Sequence, residues 1–166
     1  PCRHFGSRTA IFPEPGGETH SDGTYDRMAG KNTSVAGQAL AALAARQHGV
    51  ASRGQLRATG MSDTAISRAA ASGRIHPIFR GVYAIGHPNI GLRGWLQAAT
   101  LACGAGAVIS HRSAGALLGL LDKGPVVIDV IADGDRGRHI DGIRFHRVRT
   151  RRRDEVGTVD GIPCTS

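Results

Sequence analysis

Hydrophobic residues show no period over the first 33 positions and become regular from Ser34 onward. Ala36, Leu40, Leu43 and Ala44 recur at helical spacing, and Gly49 is placed to close that helix as its left-handed terminal residue. Ser52 followed three residues later by Gln55 is a capping-box pattern. It predicts a second short helix that buries Leu56 and ends at Gly60. Ser62 caps a third helix, and Asp63 at its first position suits the positive end of the helix dipole. Ile66, Ala69 and Ala70 make its buried side, and Ser72-Gly73 ends it. The period then changes: residues 74–85 predict two short strands around a turn at Arg80-Gly81, with Pro77 restricting the first to an edge.

A break at His87-Pro88-Asn89 separates a second unit. Leu92 to Cys103 predicts a helix with Leu92, Leu96, Ala99 and Cys103 on one face. Ala107 to Ile109 is a short extended run. Ser110 is placed to cap a helix reaching Leu121, with Ala114, Leu117, Leu118 and Leu121 inward. Val126 to Ile131 predicts a strand, Asp133 to Gly142 a polar turn region, and Ile143 to Val148 the returning strand of a hairpin. Val156 to Thr165 predicts one more extended segment. The expected fold class is therefore α+β: a winged helix-turn-helix over residues 34–90, then a small mixed α/β unit over 91–166 that is incomplete at its C-terminal end. Residues 1–33, rich in Gly, Pro, Ser, Thr and balanced charge, are expected to form a disordered leader, with Met28 a candidate true start.

Two capped helices around a glycine turn, followed by a hairpin, carry a functional expectation. The third helix would be the recognition helix of a DNA-binding module, with its N-terminal part against base edges. Its outward set is Thr64, Ser67, Arg68 and Ala71. Thr64, Ser67 and Arg68 are expected near bases of double-stranded DNA, and Arg53, Arg57, Arg74 and Arg80 on phosphates. A generic helical bundle with a solvated arginine face has the same charge pattern. Winged helices also dock proteins, so the fold alone does not establish DNA contact.

Composition sharpens the choice of partner. The chain has 166 residues, a formal charge of +8 and 4% aromatic residues. That length sustains a core without metals or disulfides, and the scarcity of aromatics excludes base stacking as the main recognition mode. Only 2 of the 21 basic residues are Lys; arginine suits bidentate phosphate and guanine contacts, although a GC-rich genome gives the same bias. The charge is concentrated: residues 52–80 carry +4 and residues 136–155 carry +5. The second concentration contains Arg144, Arg147, Arg149, Arg151, Arg152 and Arg153. On a strand, Phe145, Arg147 and Arg149 would share one side and Arg144, His146 and Val148 the other. A second phosphate contact, docking on an acidic partner and a solvated loop all fit this run.

Other candidates are weaker. Ser110-His111-Arg112-Ser113 lacks the glycines of a nucleophile elbow, and adjacent side chains on a helix do not face each other, so an N-cap is expected there. The histidines show no ligand spacing, and neither a metal site nor a cofactor is expected. Asp129, Asp133, Asp135 and Asp141 read as a solvated turn region rather than a nuclease carboxylate set. Gly104-Ala-Gly106 lacks the remaining residues of a phosphate loop. Cys2, Cys103 and Cys164 form no C-x-x-C pair and are expected to be reduced thiols of a cytoplasmic protein. The apolar stretch Trp95–Ile109 is interrupted and shorter than the about 20 residues a membrane span needs.

Four stretches together resemble a known family: Ala44-Ala-Arg-Gln-His-Gly-Val50, Ser52-Arg-Gly-Gln-Leu56, Gly73-Arg-Ile-His76 and Arg80-Gly-Val-Tyr-Ala84. They look like the N-terminal domain of the AbiEi-type antitoxins of type IV toxin–antitoxin (abortive infection) systems. Ile109-Ser-His-Arg-Ser-Ala114 and Asp160-Gly-Ile-Pro-Cys-Thr165 are similar to the segment that follows it in actinobacterial relatives. The resemblance implies a non-enzymatic regulator whose winged helix binds its own promoter, with a nucleotidyltransferase-like toxin as a second partner. Some relatives carry a very-short-patch-repair-like endonuclease domain further on. Two alternatives therefore stand beside the regulator: the N-terminal portion of such a nuclease, and a module that binds a toxin without touching DNA.

Overall fold

The computed structural model describes residues 35–121, 124–132, 139–147 and 155–165. The expected leader, Asp133, Asp135, Arg149, Arg151, Arg152 and Arg153 lie outside the described residues. The described residues begin with three helices: α1 (Val35–Arg46), α2 (Arg53–Ala58) and α3 (Asp63–Ala71). The left-handed turn after α1 starts at His48 (φ 53°), one residue before the expected Gly49. The capping box of α2 is complete: the Gln55 N–H donates to Ser52 Oγ at 3.3 Å and the Ser52 N–H donates to Gln55 Oε1 at 2.9 Å. The Ala65 N–H donates to Ser62 Oγ at 3.2 Å and fixes the start of α3. Between them Gly60 (φ 94°) takes a conformation that a Cβ would disfavour, and the Met61 N–H donates back to Leu56 O at 3.3 Å.

Three strands back these helices: β1 (Val50–Ser52), β2 (Ile75–Phe79) and β3 (Val82–Ile85), antiparallel in the order β1-β3-β2. Pro77 sits on an outer strand, as expected, beside a register shift between Pro77 and Phe79. Strand β1 was not foreseen; three residues are too short to display a period. The element order is compatible with a winged helix-turn-helix. A small core of Ala51, Leu56, Ile66, Ala69 and Ile75 joins the helices to this sheet.

The remaining elements are α4 (Leu92–Cys103), β4 (Val108–Ile109), α5 (His111–Leu117), β5 (Ile128–Ile131), β6 (Ile143–His146), β7 (Val156–Val159) and β8 (Ile162–Thr165). The second sheet has the order β6-β5-β4-β8-β7. The protein is thus a mixed α/β structure with two sheets, and the particulars depart from expectation at several points. Strand β6 runs parallel to β5, pairing Ile128 with Ile143, instead of returning as a hairpin. The cause is a tight turn at Asp141-Gly142, where the Ile143 N–H donates to Ile140 O at 3.0 Å and reverses the chain immediately before β6. Helix α5 stops at Leu117 rather than Leu121. Gly119 (φ 74°) and the 2.8 Å bond from the Leu120 N–H to Gly115 O close it, leaving Leu118 and Leu121 exposed. Residues 156–165 form a hairpin with its turn at Asp160-Gly161, not one segment.

Helix α4 is buried almost all round, not on one face: Leu96, Gln97, Ala98, Ala99, Thr100, Ala102 and Cys103 are all buried. It lies between the two sheets. One apolar cluster runs from Val50, Val82 and Ala84 of the first sheet through Leu96 and Ala99 to Ile109, Ile128, Val130 and Ile162 of the second. The boundary expected after residue 90 therefore falls inside a continuous core.

Candidate nucleic-acid interface

The second and third helices present the residues singled out from sequence. With Ile66 and Ala69 buried, the polar side of α3 places Thr64, Ser67 and Arg68 in solvent, together with Ala71. Arg68 and Arg74 line one open hollow with Ala71 and Ser72 at the end of α3, and Arg74 Nε donates to Ser72 Oγ at 3.3 Å. A second group forms at the start of α2. Arg53 Nε donates to Asp63 Oδ1 at 3.0 Å, and Arg57 Nε lies 3.9 Å from the same oxygen. The Arg53 backbone N–H donates to Gly81 O at 2.7 Å, which ties the start of α2 to the hairpin turn carrying the exposed Arg80. The pairing of Arg53 and Arg57 with Asp63 was not foreseen: the partners are ten and six residues apart and belong to different helices.

The second basic run is described only at Arg144 and Arg147, both exposed. The expected alternation holds through the strand: Phe145 packs on the core, while Arg144 and His146 turn to the other face. Asp129 does not belong to a solvated turn. It stands in β5 between β4 and β6 and is only 3% exposed. Its Oδ1 accepts from His146 Nε2 at 2.8 Å and lies 3.7 Å from Arg144 Nη1. An aspartate inside the apolar run Val126-Val-Ile-Asp-Val-Ile131 was the available signal, since a buried carboxylate needs partners. Ser110 takes the N-cap position but makes no side-chain cap bond. Its Oγ is hydrogen-bonded to His111 Nδ1 at 3.0 Å instead, because Ser110 is extended and His111 has a φ of 49°. The two side chains therefore do meet, against the helical expectation.

Two capped helices around a glycine turn, a polar outer face and a flanking hairpin define a class, and the arrangement is compatible with winged helix-turn-helix modules. Residues 38–86, from within α1 to just past β3, match the family model described as transcriptional regulator, AbiEi antitoxin. Over that segment the resemblance read from the sequence is borne out. No curated protein matches the chain. Among the described residues, no helix is long and apolar enough to cross a membrane, and no group of three or more His, Cys, Asp or Glu is placed to hold a metal ion.

Proposed function

We propose that the chain is a DNA-binding, antitoxin-type transcriptional regulator that occupies promoter DNA through residues 34–90 and acts in the cytoplasm without chemistry of its own. The observation that carries this reading is the exposed polar side of α3, which combines small polar groups with Arg68 and is flanked by Arg74 at one end and by Arg53, Arg57 and Arg80 around α2 and the hairpin turn. Small side chains permit close approach to a groove, an arginine in the last turn of α3 supplies a bidentate donor to guanine, and flanking arginines neutralise phosphates. The second basic patch, Arg144 and Arg147 with Arg149, Arg151, Arg152 and Arg153, would extend the backbone contact.

The test is duplex binding by the full chain at several salt concentrations. Arg68→Ala should weaken binding to the preferred site by about tenfold and relax its sequence preference, the effect of losing one base contact worth ~1–3 kcal/mol. Arg74→Ala should weaken binding to all sequences alike and flatten the salt slope by about one unit. Salt-independent binding, or none, would overturn the reading. A second reading, docking on a protein such as a nucleotidyltransferase-like toxin, is favoured by Leu118, Leu120 and Val126, which are exposed around the connection from α5 to β5. It is separated from the first by whether Leu120→Ser abolishes capture of the partner encoded beside this gene while leaving duplex binding intact.

A further inference from the structure

Of the five buried polar or charged side chains among the described residues, Ser110, Ser113 and Asp129 lie together where α5 meets β5 and β6. The Asp129 carboxylate, sunk in the sheet, is a fixed anchor. His146 Nε2 donates to its Oδ1 at 2.8 Å, and Arg144 Nη1 approaches the same oxygen at 3.7 Å. Ser113 Oγ accepts the Asp129 N–H at 2.8 Å, so the anchor is held from the helix as well as from the sheet. Above it the His111 ring stacks on the His146 ring, with centroids 3.9 Å apart and planes inclined by 22°. That stack depends on the left-handed backbone of His111 (φ 49°), a conformation costly for a residue with a side chain and found where a structure over-determines it. His111 Nδ1 is hydrogen-bonded to Ser110 Oγ at 3.0 Å. This accounts for one nitrogen of each ring. His111 Nε2 and His146 Nδ1 have no hydrogen-bond partner among the described residues.

The charges around the stack are unequal. Around it are Asp129 from β5, Arg144 and His146 from β6, and His111 from the start of α5, where the neighbouring Arg112 is exposed. Among the described residues, the carboxylate at the stack is buried and engaged below, while His146 and the 61%-exposed Arg144 side chain approach its Oδ1 and His111 stacks on His146. A bound oxyanion would accept from the Arg144 guanidinium and from an outward ring nitrogen in its N–H form. We propose that His111, Arg144 and His146, buttressed by Asp129, form a phosphate-binding site in the second half of the chain, distinct from the α3 face. Its ligand class is a phosphate group, carried either by a free anion or by a nucleic-acid backbone.

The test follows the imidazole proton signals of the full chain by NMR during titration with inorganic phosphate. His111 and His146 are assigned by loss of their signals in His111→Asn and His146→Asn; asparagine tolerates the left-handed backbone at position 111. Saturable shifts of both signals are expected. Arg144→Gln and His111→Asn should each weaken binding about tenfold, the worth of one charge-assisted hydrogen bond, with the melting temperature of the exposed Arg144→Gln variant unchanged. A titration without saturable shifts, or an Arg144→Gln variant that binds like the wild type, would overturn the site. A DNA duplex added in a second arm identifies the source. The same shifts with duplex assign a backbone phosphate, and shifts with inorganic phosphate alone assign a free anion; both support the site. Arg68→Ala keeps this inference separate from promoter binding, since it should weaken preferred-site duplex binding about tenfold and relax its sequence preference while leaving the phosphate shifts in place.

Discussion

Asp63 occupies the first position of α3 and faces two arginines from α2. A carboxylate there favours the helix dipole, and its ion pair with Arg53, about half exposed on both sides, contributes only ~0–1 kcal/mol to stability. Its larger consequence is for binding. The guanidiniums expected to meet phosphates are already committed to a carboxylate, so DNA must compete with Asp63 for them. Asp63→Asn should therefore tighten non-specific duplex binding several-fold and steepen the salt slope by about one unit, because an additional arginine is free to replace counterions. Fluorescence anisotropy across a salt series measures both, and unchanged or weaker binding would refute the competition. Legibility differed within this small region for a physical reason. Ser52, Gln55 and Ser62 announce their caps because the partners lie three residues apart along one chain segment. The pairing of Arg53 with Asp63 depends on how two helices cross, which no local spacing encodes.

At the scale of elements, α4 is the piece whose role was least visible. Its apolar positions predicted one buried face, yet a helix between two sheets is covered nearly everywhere, and its small residues reflect that crowding. Gly94 marks the tightest approach: a Cβ there would lie 2.8 Å from Ile90 Cβ and 2.9 Å from the His48 carbonyl oxygen. Since one of those neighbours is backbone, Gly94→Ala should destabilise by about 1–3 kcal/mol, whereas Gly157→Ala, which meets nothing within 4 Å, should change stability by less than about 0.5 kcal/mol. Urea unfolding of the two variants checks the contrast. The direction of β6 was illegible for a different reason: alternation along a strand is the same whether its neighbour is parallel or antiparallel, and the decisive feature was the turn at Asp141-Gly142 just before it. In β8, burial pushes the Cys164 thiol above its ordinary value of 9.0. The unfolded chain then loses its proton first as pH rises, so the contribution is fully present below about 9 and is lost as pH climbs through the folded-state value. Wild type should lose stability relative to Cys164→Ala above pH 9.0, and parallel denaturation midpoints with rising pH would contradict it.

For the whole molecule, charge and core divide the chain differently. The basic residues fall into two concentrations, 52–80 and 136–155, that suggest two units. The apolar cluster does not divide: it passes from the first sheet through α4 into the second. Polar links cross at the same place, where His48 Nε2 is bonded to Asp160 O at 2.8 Å and Arg93 Nε donates to Asp160 Oδ2 at 2.6 Å. These exposed links add little stability, but they connect the end of α1 and α4 to the turn between β7 and β8, so the covering layers are joined as well as the core. Trp95, the single tryptophan, lies on α4 with its ring edge-to-face against Phe79 of β2, centroids 6.0 Å apart. It therefore reports on the junction between the two halves. If the core acts as one cooperative unit, Trp95 fluorescence and far-UV circular dichroism should trace the same thermal transition with one midpoint. Loss of the fluorescence signal ahead of the helical signal would mean that the α1–β3 region separates from α4 before either half unfolds. Coincident transitions would instead mean that substitutions in α4, far from any arginine expected on DNA, weaken binding by unfolding the whole chain, and every test of the two basic surfaces then requires a matched melting curve.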